Sequence, residues 1–222
     1  MNRDLKHKMK YDVIIPVKNG ITFVKQAIDS VAGQTLQPDQ IFLVNDHSSD
    51  GTVEFVKSVY PSVTILNSHS HGQASALNLG ISNSKNAFVS FLDSDDIWAR
   101  GKQMKQVVML LNNPKAMYSS SGVRNFLDGG NSETEFKEYR NSRALGACTF
   151  RKSVFLDFGF FNDSNHKDVF VYEFFYRIRD LERVSTETIE LFRRIHADNL
   201  WIHQRDELIN SLFGFLRERL KP

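Results

Sequence analysis

The 222-residue chain holds a single cysteine, Cys148, so no internal disulfide can form and a reducing compartment is expected. Its setting, "GACTF", reads as a small buried residue entering a strand rather than a nucleophile. An excess of either charge is missing too. Lys and Arg total 28 against 26 Asp and Glu, a formal +2, which gives no global argument for a nucleic acid or a strongly anionic partner. No apolar run approaches the roughly 20 residues that cross a bilayer. The opening "MNRDLKHKMK" lacks the apolar core of a signal peptide. A cytoplasmic protein without a transmembrane segment is the expectation. The glycine patterns that cradle phosphates are also absent. No G-x-G-x-x-G follows the first apolar run, and "ARGKQ" has neither the upstream Gly nor the following Ser/Thr of a P-loop.

What is present is ordinary in bulk: 41% hydrophobic, 24% charged, with 18 phenylalanines. That length and composition bury a proper core, in one large domain or a domain with an appendage.

The first half alternates two periods. "YDVIIPV", "IFLV" (41–44), "VTIL" (63–66) and "AFVSFL" (87–92) are short continuous apolar runs, the mark of strands buried on both faces. Between and after them run helical stripes: Phe23, Val24, Ala27, Ile28 and Val31; Val53, Val56 and Val59; Ala74, Leu77 and Ile81; then Met104, Val107, Val108 and Leu111. Strand–helix repeats with short connections predict an α/β fold, a mostly parallel central sheet with helices on both faces.

The second half is less regular. Residues 119–143 are polar and rich in Gly, Ser and Asn, and read as a mobile loop. "GACTFRKSVFLDFGFF" reads as a strand and a short helix ending at Gly159, followed by helices through 168–183 and 204–220. The last carries an apolar face of Leu208, Ile209, Leu212, Phe213, Leu216 and Leu220. It suits docking on its own domain, on a membrane surface or on a second copy. The expected organisation is one domain over 1–222: a first half (11–118), a second half (119–203) and that terminal helix.

Open parallel sheets bind ligands at the carboxyl ends of their strands. Here those ends carry Lys18-Asn19-Gly20, Asn45-Asp46-His47-Ser48-Ser49-Asp50 and Asp93-Ser94-Asp95-Asp96. Three carboxylates within four positions repel one another, and Mg²⁺ or Mn²⁺ carrying a diphosphate supplies the counter-charge. Residues two apart on extended backbone share a face, so Asp93 and Asp95 can point together into the crevice. Duller roles exist beside these. "DSDD" can be a helix N-terminus with Asp96 as its cap, and Asp46 can cap the next helix. His69 and His71 read as loop histidines with nothing nearby to complete a zinc set.

Taken in order, these segments resemble family 2 inverting glycosyltransferases of the GT-A fold. "VIIPVKNG" is similar to that family's opening strand, and "FLVNDHSSDGT" to its V-D-D-G-S-x-D-G-T segment. "GQASALNLGISNSKNAFVSFLDSDDIW" resembles G-x-S-x-A-x-N-x-G followed by L-D-x-D-D. "GKQMKQ", "GACTFRKSVFLDFGFF" and "RRIHADN" extend the likeness over about residues 11–200. The resemblance implies that Asp46 meets the nucleobase or ribose, close to the backbone of Pro16 and Val17, with Asn19, Gly72 and Asn78 shaping the same pocket. It implies that Asp93 and Asp95 form the D-x-D pair, with Asp95 the preferred ligand of Mn²⁺ or Mg²⁺. It implies as well that His196 approaches the metal or diphosphate, that Arg194 offsets diphosphate charge, and that 11–118 is the nucleotide-binding half and 119–203 the acceptor-side half.

The departures are Asn45 for an acid, Leu77 for an arginine, and Phe170-Val171 where an acidic pair with the catalytic base is usual. Glu173 and Asp168 are the nearest carboxylates. Glu173 is equally readable as the ion-pair partner of Arg177, four residues on along the same helix face.

The implied reaction moves a sugar from a nucleotide-diphosphate sugar, UDP being the commonest carrier, to a glycan, lipid-linked or protein acceptor with inversion. The setting is cell-surface polysaccharide or glycoconjugate synthesis at the inner face of the membrane. Two other readings stand beside it. One is a GT-A nucleotide-sugar-binding module that lost its base at Val171. The other is a Mg²⁺ phosphotransferase or nucleotidyltransferase.

Overall fold

The structure, a computed structural model, describes residues 7–128, 138–139, 142–163 and 169–196. Asp168 and the 204–220 segment lie outside the described residues.

Strands β1 (Tyr11–Val17), β2 (Gln40–Asn45), β3 (Thr64–Asn67) and β4 (Phe88–Phe91) lie parallel in the order β3-β2-β1-β4. Every residue of β1 is buried, as its mostly apolar run predicts for a central strand, Asp12 being the one acid within it. Its side chains alternate between two cores. Tyr11, Val13, Ile15 and Val17 pack with helices α1 (Val24–Ala32), α2 (Thr52–Val59) and α4 (Lys102–Asn112). Ile14 packs on the other face with α3 (Gln73–Asn83), α5 (Ser153–Phe158) and α6 (Phe170–Arg177). Helix α3 approaches β1 so closely that a Cβ on Gly80 would stand 2.5 Å from Ile14 Cγ2. The phenylalanines concentrate on this face. Phe155 and Phe174 stack with centroids 5.0 Å apart, and Phe150 and Phe161 close around them. Such pairs add about 0.5–1.5 kcal/mol each beyond their burial.

Beyond β4 the sheet continues through β8 (Thr149–Arg151), β6 (Tyr118–Leu127), β9 (Arg183–Ile195) and β5 (Ile97–Trp98), with β7 (Glu138–Tyr139) paired to β6. Here the structure corrects two readings of the sequence. Residues 118–127 are not a loop but a strand whose first six residues are buried. Its serines looked like loop residues because polarity was judged without partners. Ser119 Oγ donates to Thr149 O, Ser120 Oγ to Ser185 Oγ and Ser121 Oγ to Ala147 O, so each is buried at little cost. The helix expected through residue 183 stops at Arg177, and from Arg183 the chain runs as the 13-residue strand β9, parallel to β6. The strand and short helix around Cys148 are as expected. Cys148 is fully buried just before β8, and α5 ends at Gly159 in left-handed conformation, φ 86°.

No helix among the described residues is long and apolar enough to cross a membrane.

Candidate functional site

The carboxyl ends of β1, β2 and β4 form one rim, tied together by hydrogen bonds. The N–H of Asp46 donates to Val17 O (2.8 Å), pinning the β2 tip to the β1 tip. The loop after β1 takes a left-handed turn at Asn19 (φ 52°), whose Oδ1 accepts the Ser49 N–H at 2.8 Å. Ser48 Oγ accepts the Asn19 N–H in return, and Thr52 Oγ1 accepts that of Gly20, both at 3.0 Å. Asp50, not Asp46, serves the start of α2: its carboxylate accepts the N–H groups of Thr52 and Ile21.

Asp46 is thereby left for other work. Its side chain is only 9% exposed. One oxygen, Oδ2, accepts the Gly72 N–H at 3.0 Å. Gly72 opens α3 with φ 110°, a conformation that side chains resist, although a Cβ there would meet nothing within 4 Å. The next residue carries the chain of contacts on: Gln73 Nε2 donates to Asp93 Oδ1 at 2.7 Å. Asp46, Gly72, Gln73 and Asp93 therefore form a continuous arc from the β2 tip, across the start of α3, to the β4 tip. His47 and His71 flank Asp46. His47 Nδ1 lies 3.1 Å and His71 Nδ1 3.7 Å from Asp46 Oδ1, and the two rings stand 3.9 Å apart.

The "DSDD" turn does not cap a helix. The following helix starts later, at Lys102, and its N-cap is Gly101. Asp96 is instead a buried brace, its Oδ1 accepting the Arg194 N–H at 2.9 Å. Burial, together with the charges of Asp93 and Asp95, raises its pKa well above the usual carboxylate range. Asp93 keeps one side open to solvent. The protein packed round its carboxyl, and then the Asp95 charge, push it up to about 6, while Arg193 and Gln73 pull it down. Asp95 Oδ2 sits 3.0 Å from His196 Nε2, bringing together two residues 101 positions apart.

Arg194 falls elsewhere than expected. It is 3% exposed, its guanidinium sandwiched between Phe23 and Phe126, each centroid 4.6 Å away. It donates to Asp95 O (2.9 Å), Asp128 Oδ1 (2.5 Å) and Gln26 Oε1. It is a clamp that fixes the Asp95 turn, and Arg193 is the cation that acts on Asp93. Asn78 is likewise committed, donating to Phe161 O and accepting the Phe161 N–H. It braces the segment at Phe161 with both ends of its amide. Pro16 is buried within β1.

Glu173 is 12% exposed and pairs with Arg177 at 3.2 Å, while Arg177 Nη2 also donates to Phe160 O. Among the described residues, no hydrogen bond of Glu173 reaches the Asp46–Asp95 rim. The composition of the rim hid Gln73 and Arg193. Neither is a carboxylate, and only the folded geometry shows what they hold.

A model of the family described as "Glycosyl transferase family 2" matches residues 12–189. The chain is 30% identical over 156 residues, 69% of its length, to an uncharacterized glycosyltransferase of Rickettsia bellii, of which it covers 22%. It is 34% identical over 118 residues, 51% of its length, to the Escherichia coli protein named UDP-Glc:alpha-D-GlcNAc-diphosphoundecaprenol beta-1,3-glucosyltransferase WfgD, of which it covers 46%. Among solved structures it resembles Staphylococcus aureus TarS with TM-score 0.67 at 16% identity, over 93% of this chain and 44% of that one. A second TarS structure, in complex with UDP, gives 0.63 at 16% identity, over 91% of this chain and 70% of that one. The chain thus spans less than half the length of the curated relatives just named. It belongs to glycosyl transferase family 2 and has the GT-A fold.

Proposed function

We propose that this member of family 2 binds a nucleoside diphosphate sugar along the rim and passes the sugar to an acceptor hydroxyl with inversion, in a single displacement. What supports the reading is the arc Asp46–Gly72–Gln73–Asp93, extended by the Asp95–His196 pair, which lines up a nucleoside-facing end and a diphosphate-facing end. Asp46 takes the nucleobase or ribose with Oδ1, the oxygen beside the His47 and His71 rings, and the positive-φ turn at Gly72 leaves open space beside it. UDP is the proposed carrier, supported by the TarS complexes with UDP and UDP-GlcNAc.

The residues present fit a divalent cation. The Asp95 charge raises the pKa of Asp93, and both charges raise that of Asp96, so the cluster calls for positive charge, and oxygen donors with one imidazole suit Mn²⁺ or Mg²⁺. Asp95, with Asp93 and His196, would hold it, and it would supply counter-charge to the departing nucleoside diphosphate. The chain's own contribution is positioning. Arg194 fixes the Asp95 turn and Asp96 locks β9 beside it, so the carboxylates are in place before the donor arrives.

The acceptor's proton passes to a carboxylate, a step worth about 10²–10⁴ in rate. Asp168 and Glu173 are the candidates. For Glu173 the Arg177 pair must open first. That pair, with Val171 at the usual base position, is also what favours a second reading, a nucleotide-sugar-binding module or partner subunit. The acceptor is proposed to be a glycan, lipid-linked sugar or protein in cell-surface polysaccharide or glycoconjugate synthesis. The chain would then act as one catalytic domain at the cytoplasmic face of the membrane.

The experiment is release of UDP from a panel of UDP-sugars with Mn²⁺, with and without lipid-linked and glycan acceptors. Acceptor-stimulated release, lost in Asp95→Asn and in one of Asp168→Asn or Glu173→Gln, is expected. Tight UDP binding with no turnover would favour the binding module. With UTP or ATP offered in place of the UDP-sugar, pyrophosphate release would mark a nucleotidyltransferase, and a phosphorylated product a phosphotransferase.

A further inference from the structure

Among the described residues outside the Asp93–Asp95 turn, one other group of side chains has metal-ligand chemistry: Asp46, His47 and His71, whose donor atoms all lie within 4.8 Å of one another. We propose that these three residues form a second cation site, for a borderline-soft transition metal of the Zn²⁺ class, and that its occupation competes with the nucleotide.

The geometry is close to what such an ion needs. Zinc bonds of about 2.0–2.2 Å in a tetrahedral shell separate neighbouring donors by about 3.3 Å. Asp46 Oδ1 stands 3.1 Å from His47 Nδ1 and 3.7 Å from His71 Nδ1, values that bracket that spacing. The His71 side chain is 68% exposed, so no packing prevents it from turning to complete the angle. The carboxylate is already oriented, because Gly72 N–H holds its other oxygen and the same bond fixes the backbone next to His71. That is the outer support a metal ligand ordinarily has. His47 adds an independent sign. It occupies left-handed backbone at φ 59°, a conformation uncommon outside glycine, and the turn aims its ring at Asp46 and the His71 ring.

Donor chemistry separates this site from the other. Two imidazole nitrogens and one oxygen prefer Zn²⁺, Co²⁺ or Ni²⁺, whereas a carboxylate-dominated set suits Mg²⁺ and Mn²⁺. Three protein ligands leave a fourth position open to water or an anion. The competition rests on the reading of Asp46 as the nucleoside contact. An oxygen that binds zinc is no longer free to accept a hydrogen bond from a base or ribose, so zinc turns the donor away while the Asp95 end is untouched.

The test is calorimetric titration of the chelator-treated full chain with ZnCl₂. One Zn²⁺ per chain is expected. At least tenfold weakening is expected in His71→Ala, whose exposed side chain carries no fold, and in His47→Gly, which relaxes the turn. Asp95→Asn should keep the zinc. UDP titrated with Mn²⁺ present should then bind at least tenfold more weakly when zinc is bound. No stoichiometric zinc binding, or binding unaltered in His47→Gly/His71→Ala, overturns the site. Zinc bound through these histidines without any change in UDP affinity keeps the site, but overturns the competition and the nucleoside reading of Asp46 with it.

Discussion

Asp46→Asn separates the structural duty of the rim acid from its binding duty. In the native chain one oxygen accepts the Gly72 N–H at 3.0 Å, and the other faces the His47 and His71 rings. An asparagine can keep its carbonyl on Gly72 and place an amide NH₂ where the second oxygen was. The α3 start is then still held, and the fold should lose no more than about 1 kcal/mol. The nucleoside loses a charged acceptor and meets a donor instead. Hydrogen bonds to charged groups are worth about 1.5–3 kcal/mol, so UDP affinity should fall by roughly 10- to 100-fold. Calorimetry with Mn²⁺ reads the affinity, and a thermal melt reads the fold. Asp46→Ala is the control: it also strips the Gly72 bond and should lower the Tm where Asn does not. An Asn variant that binds UDP as the native chain does would refute the assignment of Asp46.

Two further outcomes test the scaffold. Lys102 is fully buried, its Nζ 2.9 Å from Gln106 Oε1 and 4.2 Å from the Trp98 ring centroid, and burial lowers its pKa to about 7. Unfolded, it keeps its proton up to about 10.4, so between those values the unfolded chain binds more protons and stability rises with pH. The slope contributed is up to about 1.4 kcal/mol per pH unit. Denaturant titrations from pH 7 to 9 should show that rise in the native chain and its loss in Lys102→Met, and equal slopes would contradict it. Asp12 is fully buried and accepts bonds from Ser84 Oγ, Lys85 N–H, Asn86 N–H and Asn86 Nδ2. Asp12→Ala strands those donors at the α3–β4 turn and should cost about 3 kcal/mol or more in urea unfolding. A loss under about 1 kcal/mol would mean that water replaces the carboxylate there.

The first half of the fold was legible because strands covered on both faces are mostly apolar, and β1, β2 and β4 are, with Asp12 and Ser90 the buried exceptions. The second half broke that rule for a physical reason. Ser119, Ser120 and Ser121 are buried in β6 with their hydroxyls satisfied, and no single-sequence pattern announces where those partners come from. β9 escaped for a related reason. "RVSTETIELFRRI" buries only part of its length and pairs with β6 through register shifts, so its alternation is blurred. At the site, the acids were readable from charge placed at strand ends. Asp50 and Asp96 show the weakness of that signal: both are acids at the rim, and both brace backbone N–H groups. Arg194 was misread because a cation near acids suggests phosphate, whereas its burial between Phe23 and Phe126 makes it a clamp. His71 was set aside because its partners are distant in sequence; His47 stands 24 positions earlier.

The most direct test of the rim as a nucleotide site is a crystal of the full chain grown with UDP and MnCl₂, measured at the manganese absorption edge. An anomalous peak bound to Asp95 and touching the diphosphate, with the uridine against Asp46, is the predicted result. UDP seated away from Asp46, or manganese with no contact to Asp95, would contradict it.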